Sequence, residues 1–183
     1  MTKPTRVTTP REGQLHQGWD ESAPIPAPLR LHDTDVPHAW VDYNGHMSES
    51  CFLLAFGDNA DAFFRYFGID EDYRANGGSL YTAETHLHHR RELVEGDHIS
   101  MTLQVLGVDR KRVHIAHEMY HDASGELAAT AEQMLLHVAM AEGRVAAMPD
   151  YLYERLVAIR DAHAMLPVPD YVGHVMSIPA PKN

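Results

Sequence analysis

The feature that most constrains the fold is residues 48–67, a twenty-residue segment with the pattern of one long helix. Its apolar side chains recur at three- and four-residue steps and so form one broad stripe. They are Cys51, Phe52, Ala55, Phe56, Ala60, Phe63, Phe64 and Phe67. Gly68 is placed to end the helix. A helix of this length spans about 30 Å, which suits a central position with an antiparallel sheet wrapped around it.

Strand patterns account for most of the remaining chain. They are predicted at residues 29–41, 81–93, 98–106, 112–121 and 127–140, with a short extension at 144–147. A second helix is predicted from Pro149 to His163. One strand, one long helix and a meander of four strands make an α+β pattern with an antiparallel sheet.

The length of 183 residues predicts a single domain with added segments. Residues 1–28 are rich in proline and are expected to form an extended N-terminal arm. Residues 29–147 would then be the domain itself, and residues 148–183 a C-terminal helix and tail.

Composition excludes several classes of function. The formal net charge of -11 argues against binding nucleic acid or an anionic membrane surface. The one cysteine, Cys51, cannot form an intrachain disulfide, which fits a reducing compartment. No leader pattern and no apolar run of membrane-spanning length is present, so we expect a cytoplasmic protein.

Residues 40–47, WVDYNGHM, carry the strongest chemical signal. Asp42 ends an extended run, Gly45 permits a tight turn, and the long helix begins shortly afterwards. This order places a carboxylate beside the open N–H groups of a helix start, which favour negative charge. A carboxylate next to such an oxyanion site is what acyl transfer needs. The same residues would also serve as ordinary turn and capping residues.

The residues 42–47, DYNGHM, followed by a helix, resemble the hotdog-fold acyl-CoA thioesterases of the 4-hydroxybenzoyl-CoA thioesterase type. Further matches are FGDNAD at 56–61, YTAETH at 81–86 and AEQMLLH at 131–137. Together they resemble the branch of that family found with carnitine breakdown, the betainyl-CoA thioesterases. The resemblance covers residues 27–178.

The resemblance implies a hotdog fold, in which an antiparallel sheet wraps around the central helix. It implies hydrolysis of a short acyl-CoA, with betainyl-CoA favoured and no cofactor beyond the coenzyme A of the substrate. It also implies a homodimer or a dimer of dimers, with active sites where subunits meet. A thioesterase for other short, medium-chain or aromatic acyl-CoAs, a non-catalytic acyl-CoA-binding module and a hotdog dehydratase remain alternatives.

Asp42 matches the acidic residue that the family carries in the loop before the central helix. It would attack the thioester carbonyl or draw a proton from an attacking water. Backbone N–H groups near Gly45, His46 and Met47 are placed to receive the negative oxygen. Asn44 would hold the water, orient Asp42 or only cap the turn, and a chemical role for His46 is the less favoured interpretation.

Residues of the next strand offer a binding site for the acyl group. Glu84 and His86 alternate with Thr82 and His88 on one strand face. If that face borders the cleft, Glu84 supplies a negative charge for a trimethylammonium group, and Trp40, Tyr43 and Tyr81 supply ring faces. A polar outer sheet face explains the same pattern equally well.

Three other groups of residues have weaker patterns. Arg110, Lys111 and Arg112, with Arg90 and Arg91, would suit the phosphates of coenzyme A, although a solvated hairpin explains the first three as well. His86, His88 and His89 invite a metal site, but no second pair stands at zinc spacing, so no metal is predicted. Glu49, Asp58 and Asp61 offer a different carboxylate, because a related hotdog subgroup carries its catalytic acid on the central helix. Asp58 and Asp61 share one helix face, and the favoured interpretation is that they line the polar side of the helix or pair with Arg65.

Overall fold

The computed structural model describes residues 8–14 and 18–178. The strands are β1 (Leu29–Asp35), β2 (Gly78–His89), β3 (His98–Val108), β4 (Arg112–His121), β5 (Glu126–Ala139) and β6 (Arg144–Val145). The helices are α1 (Glu49–Phe67), α2 (Glu71–Ala75) and α3 (Asp150–His163), and a 3₁₀ turn spans His38–Trp40. The predicted first strand is therefore too long, and the short helix α2 was not predicted.

The long helix α1 forms as its apolar stripe predicts. It follows Ser48, and the next residue after it, Gly68, has a positive φ of 117°. The Gly68 N–H donates to the Phe64 carbonyl at 3.1 Å, which closes the last turn. A Cβ at residue 68 would lie 2.7 Å from Arg155 Nη1. The backbone conformation therefore favours glycine at this helix end, and any larger residue would also have to displace the end of the Arg155 side chain.

All strand pairings are antiparallel, in the order β1-β3-β4-β5-β2, with β6 beside β5. The predicted meander of four strands is wrong for β2, because β2 pairs with β5 and has no pairing with β3. Hydrophobic alternation identifies a strand but does not show which other strand it pairs with, which explains the error. In one chain β2 thus lies at an edge of the sheet.

One face of the sheet packs against α1 and carries the core. Phe63 and Phe67 of α1 meet Leu103, Ile115 and Leu135 of three neighbouring strands in one buried cluster. Apolar residues of α3 complete this cluster: Leu152, Leu156 and Ile159. A second cluster around Phe52 and Phe56 lies nearer the start of α1. The structure confirms the predicted α+β fold, with an antiparallel sheet wrapped around one central helix and a further C-terminal helix.

A bulge in β2 changes which side chains share a face. Thr82 pairs with the buried Leu135, whereas Glu84 pairs with Met134, so Ala83 is the inserted residue. Directly opposed residues point to the same side of a sheet. Thr82 therefore lies on the core face and Glu84 on the outer face, and the prediction that they share a face is wrong.

Beyond the bulge, the predicted alternation holds. His86 and His88 pair with Glu132 and Thr130, which places them on the outer face with Glu84. A single inserted residue reverses the alternation and leaves no reliable sequence signal.

The chain ends pack against this domain where they are described. Thr9 donates to the Asp61 carboxylate at 2.8 Å, and Trp19 packs edge-on against Tyr66. After α3 the chain crosses the outer face, where the Tyr171 hydroxyl donates to the His117 carbonyl at 3.0 Å. The rest of the expected arm and tail, residues 1–7, 15–17 and 179–183, lies outside the described residues. Within residues 8–14 and 18–178, none of the helices is both long and apolar enough to cross a membrane.

Candidate active site

The turn before α1 is closed by its own hydrogen bonds. The Asp42 N–H donates to the His46 carbonyl at 2.9 Å, and the Gly45 N–H donates to the Asp42 carbonyl at 3.0 Å. Gly45 has a φ of 81°, a conformation that glycine adopts without strain. The Asn44 N–H donates to Asp42 Oδ1 at 2.7 Å, so the turn orients the carboxylate. This bond is the turn role that the sequence allowed for Asp42, and it uses only one carboxylate oxygen.

A cavity of about 380 Å³ adjoins this turn. Its lining comes from the turn, the first turns of α1 and the end of β2 with the loop beyond it. The lining residues are Asp42, Asn44, His46, Met47, Glu49, Phe52, His89, Arg90, Arg91 and Glu92. Asp42 is partly buried here. The carboxylate therefore borders a space large enough for the short acyl group of a thioester.

The backbone donors near the cavity differ from those expected. Gly45 donates within the turn, and Met47 donates to the Leu93 carbonyl at 2.7 Å. In the described part of the chain, the N–H groups of His46, Glu49 and Ser50 have no hydrogen-bond acceptor. Ser48, at the N-cap position, makes no side-chain cap. The open donors at this helix start are thus His46 and the first two residues of α1.

The proposed substrate-binding residues do not all reach this cavity within one chain. Trp40 is partly buried at the end of the 3₁₀ turn, and Tyr43 is 97% exposed. Glu84 and His86 line a separate cavity of about 290 Å³ on the outer face of the sheet. Tyr81, which pairs with Leu136, also lies on the outer face and is 53% exposed.

The outer face also carries a histidine cluster formed by His86, His88 and His174. The ring centroids are 4.8 Å apart for His86 and His88 and 4.9 Å apart for His88 and His174. Desolvation, together with the neighbouring histidines, lowers the pKa of His88. His89 lies on the other face, where its ring packs edge-on against Phe52. Among the described residues no group of three or more His, Cys, Asp or Glu is arranged to hold a metal ion.

The basic residues of the hairpin, Arg110, Lys111 and Arg112, form ion pairs or hydrogen bonds with nearby acidic residues. Arg110 pairs with Asp150, and Arg112 Nη2 lies 2.6 Å from Asp109 Oδ2. The backbone N–H of Lys111 donates to Asp109. These residues precede or begin β4. The Asp42 cavity lies beside the His89 end of β2, which is level, across β5, with the opposite end of β4. A ten-residue strand is about 33 Å long, so one chain holds the hairpin and the cavity at opposite ends of its sheet.

Two acidic residues further along α1, Asp58 and Asp61, do not line the cavity. Asp61 pairs with the buried Arg65 at 2.7 Å, as predicted. Asp58 is buried and has no hydrogen bond to another described residue. Desolvation, with a smaller effect of the Asp61 charge, raises the pKa of Asp58 to about 6.

Sequence reasoning missed a buried polar chain beneath α1. Asn59 Nδ2 donates to His117 Nδ1 at 2.9 Å, and His117 Nε2 donates to Gln133 Oε1 at 3.1 Å. Gln133 then donates to the Thr85 hydroxyl at 3.2 Å. Burial lowers the pKa of His117 to about 4, so this histidine is neutral at pH 7. The available signal was Asn59, a polar residue within the apolar stripe of α1.

Comparison with known proteins agrees with this fold. The family model of the Thioesterase-like superfamily matches residues 36–156. The chain therefore belongs to the Thioesterase-like superfamily.

Two relatives are similar over most of this chain. It is 46% identical over 146 residues to the L-carnitine dehydrogenase/betainyl-CoA thioesterase of Rhizobium sp.. That match covers 80% of this chain but only 29% of the relative. It is 42% identical over 152 residues to the betainyl-CoA thioesterase of Pseudomonas aeruginosa, covering 82% of this chain and 96% of that one.

A solved structure has a similar fold over most of this chain. It is a hypothetical protein from Staphylococcus aureus, solved in complex with CoA, with a TM-score of 0.78 and 25% sequence identity. The match covers 86% of this chain and 100% of that chain.

Proposed function

We propose that this protein is an acyl-CoA thioesterase that hydrolyses a short acyl-CoA, with betainyl-CoA as its favoured substrate. The observation that carries the proposal is the Asp42 carboxylate, oriented by the Asn44 N–H and bordering a cavity at the start of α1. The names of the relatives from Rhizobium and Pseudomonas support the choice of substrate. The reaction needs no cofactor, since water and the thioester are its only reactants.

Asp42 has two routes to hydrolysis. It attacks the thioester carbonyl and forms an anhydride that water then cleaves, or it accepts a proton from a water that attacks directly. In both routes the carbonyl oxygen becomes negative, the C–S bond breaks and the departing sulfur takes a proton. The open N–H groups of His46, Glu49 and Ser50 are the backbone donors available near that oxygen.

The active enzyme is a homodimer or a dimer of dimers in this proposal. β2 is a twelve-residue strand at the sheet edge, and unpaired edges favour pairing with another copy. An antiparallel pair of β2 strands places the Tyr81 end of one copy beside the His89 end of the other. The partner's Tyr81 and hairpin region would then approach the Asp42 cavity, although the chain itself holds them far apart.

A lysine at Ala83 tests this pairing. Ala83 is exposed at the bulge of β2, and a charge on an edge strand opposes pairing. We expect Ala83→Lys to sediment as a monomer and to lose turnover, while the wild type sediments at twice the chain mass or more. Val145→Lys, on the exposed strand β6, is the matched control and should keep the wild-type mass. A fully dimeric Ala83→Lys protein would contradict assembly through β2.

A panel of acyl-CoA substrates with detection of the released thiol tests the activity. We expect the highest kcat/KM with betainyl-CoA and lower values with acetyl-, butyryl- and benzoyl-CoA. Comparable turnover of the whole panel would point to a general acyl-CoA thioesterase. Binding of acyl-CoA without thiol release would point to a non-catalytic binding module.

A location in the cytoplasm belongs to the same proposal, and the single cysteine is compatible with that reducing compartment.

A further inference from the structure

The size of the betainyl group limits which residue can recognise its charge. Its nitrogen lies two bonds from the reacting carbonyl carbon, a distance of about 2.5 Å. A carboxylate oxygen paired with that nitrogen lies about 4 Å from it. The residue that recognises the positive charge of the acyl group must therefore lie within about 7 Å of the reacting carbon and must line the same cavity as Asp42.

The Asp42 cavity is small enough for groups on its wall to satisfy this distance limit. A sphere with its volume of 380 Å³ is about 9 Å across, so groups on its wall are close to one another. Within one chain Glu84 is excluded, because it lines the cavity on the opposite face of the sheet. Two carboxylates line the Asp42 cavity besides Asp42 itself, and these are Glu49 and Glu92.

The contacts of these two carboxylates separate them. Glu92 Oε2 lies 3.3 Å from His46 Nε2, and Glu92 belongs to the loop between β2 and β3. Glu49 has no ion pair or hydrogen bond from its side chain to any residue in 8–14 or 18–178. Glu49 is also the first residue of α1, a rigid helix that begins directly after the turn that carries Asp42.

An aromatic ring accompanies Glu49 in the cavity wall. Phe52 lies three residues further along α1, on the same side of the helix as Glu49, and it lines the same cavity. The Phe52 ring is held in place by an edge-on contact with His89, at 4.8 Å between centroids. A carboxylate beside an aromatic ring is the combination that attracts a quaternary ammonium group.

We propose that Glu49 is the residue that selects the cationic acyl group, with its carboxylate beside the trimethylammonium of betainyl-CoA and the Phe52 ring against the methyl groups. This inference rests on the proposed thioesterase function and adds the residue that sets substrate choice. Glu49 acts in specificity and is separate from Asp42, which acts on the reacting atoms.

The test compares two substrates that differ only in charge. 3,3-Dimethylbutyryl-CoA has a carbon in place of the betainyl nitrogen, so it has the same shape and no positive charge. We expect the wild type to have a kcat/KM for betainyl-CoA well above that for the neutral substrate. Glu49→Gln should lower this preference about tenfold, which corresponds to about 1.4 kcal/mol, mainly through KM for betainyl-CoA.

Four outcomes decide the proposal. Loss of preference in Glu49→Gln, with wild-type preference in Glu92→Gln and Glu84→Gln, supports it. Unchanged preference in Glu49→Gln overturns it and leaves the thioesterase function intact. Loss of preference in Glu84→Gln instead also overturns it and assigns the charge to an outer-face residue supplied by the partner copy. A wild type that turns over neither substrate contradicts the proposed function as well, and its lack of activity distinguishes that failure from the others.

Discussion

Replacing Asp42 with asparagine should lower kcat for betainyl-CoA about 10³-fold, within the range known for removal of a positioned base. Asparagine keeps the side-chain oxygen that accepts the Asn44 N–H, so the turn before α1 should persist. It removes the charge and basicity that either route to hydrolysis requires. The measurement is steady-state thiol release, with circular dichroism and thermal unfolding to confirm that the fold is unchanged.

The matched control for this substitution is Glu92→Gln. Glu92 lines the same cavity and loses the same charge, but its side chain lies beside His46 and is largely exposed. We expect this variant to keep most of the wild-type rate. If Asp42→Asn instead retained more than a tenth of that rate, Asp42 would be only the turn residue that its bond to Asn44 already makes it.

The sequence predicted the features that depend on neighbouring residues in the chain. The apolar stripe of α1 repeats through five turns, and its limits were correct to within one residue. The turn at Asp42 and Gly45 was predictable because its signal is contained in six consecutive residues. Both are local patterns, in which the backbone conformation follows from residue type and spacing.

The features that were missed depend on contacts between distant segments. No pattern within β2 shows that its neighbour is β5, or that Ala83 is inserted as a bulge. Because of that one residue, Glu84 lies on the opposite face of the sheet from Thr82, although the alternation predicted that they share a face. His174 joins His88 across 86 residues of chain, and only the folded path of the C-terminal segment brings these rings together.

The arrangement separates residues that hold α1 in place from residues that line the cavity. Arg65 is 2% exposed, and its guanidinium binds Asp61 at 2.7 Å and both carboxylate oxygens of Glu71. The hydrogen bond from Arg65 is the main reason that the pKa of Glu71 falls to about 2. Asp61 in turn accepts the Thr9 hydroxyl of the N-terminal arm. Arg65 thus joins α1, the short helix α2 and the arm.

Arg65→Ala should lower the free energy of unfolding by about 3–5 kcal/mol, the usual cost of removing one partner from a buried ion pair. The loss arises because Asp61 stays buried without its main cation and because the space of a long side chain empties. Urea unfolding at pH 7 measures it. Arg160→Ala is the control. Arg160 lies on α3, and among the described residues its one ion pair is with its neighbour Asp161, so the change in stability should be less than about 0.5 kcal/mol.

A second substitution tests the cause of the loss. Adding Asp61→Leu to Arg65→Met replaces both charges with apolar groups and should recover much of the stability, because neither member of this ion pair is then left buried without its partner. Neither variant removes a residue that lines the Asp42 cavity. Turnover per folded molecule should therefore stay near the wild-type value, in contrast to Asp42→Asn. A loss below 1 kcal/mol for Arg65→Ala would mean that water already compensates the two carboxylates, and the link from α1 through Arg65 would then contribute little to the fold.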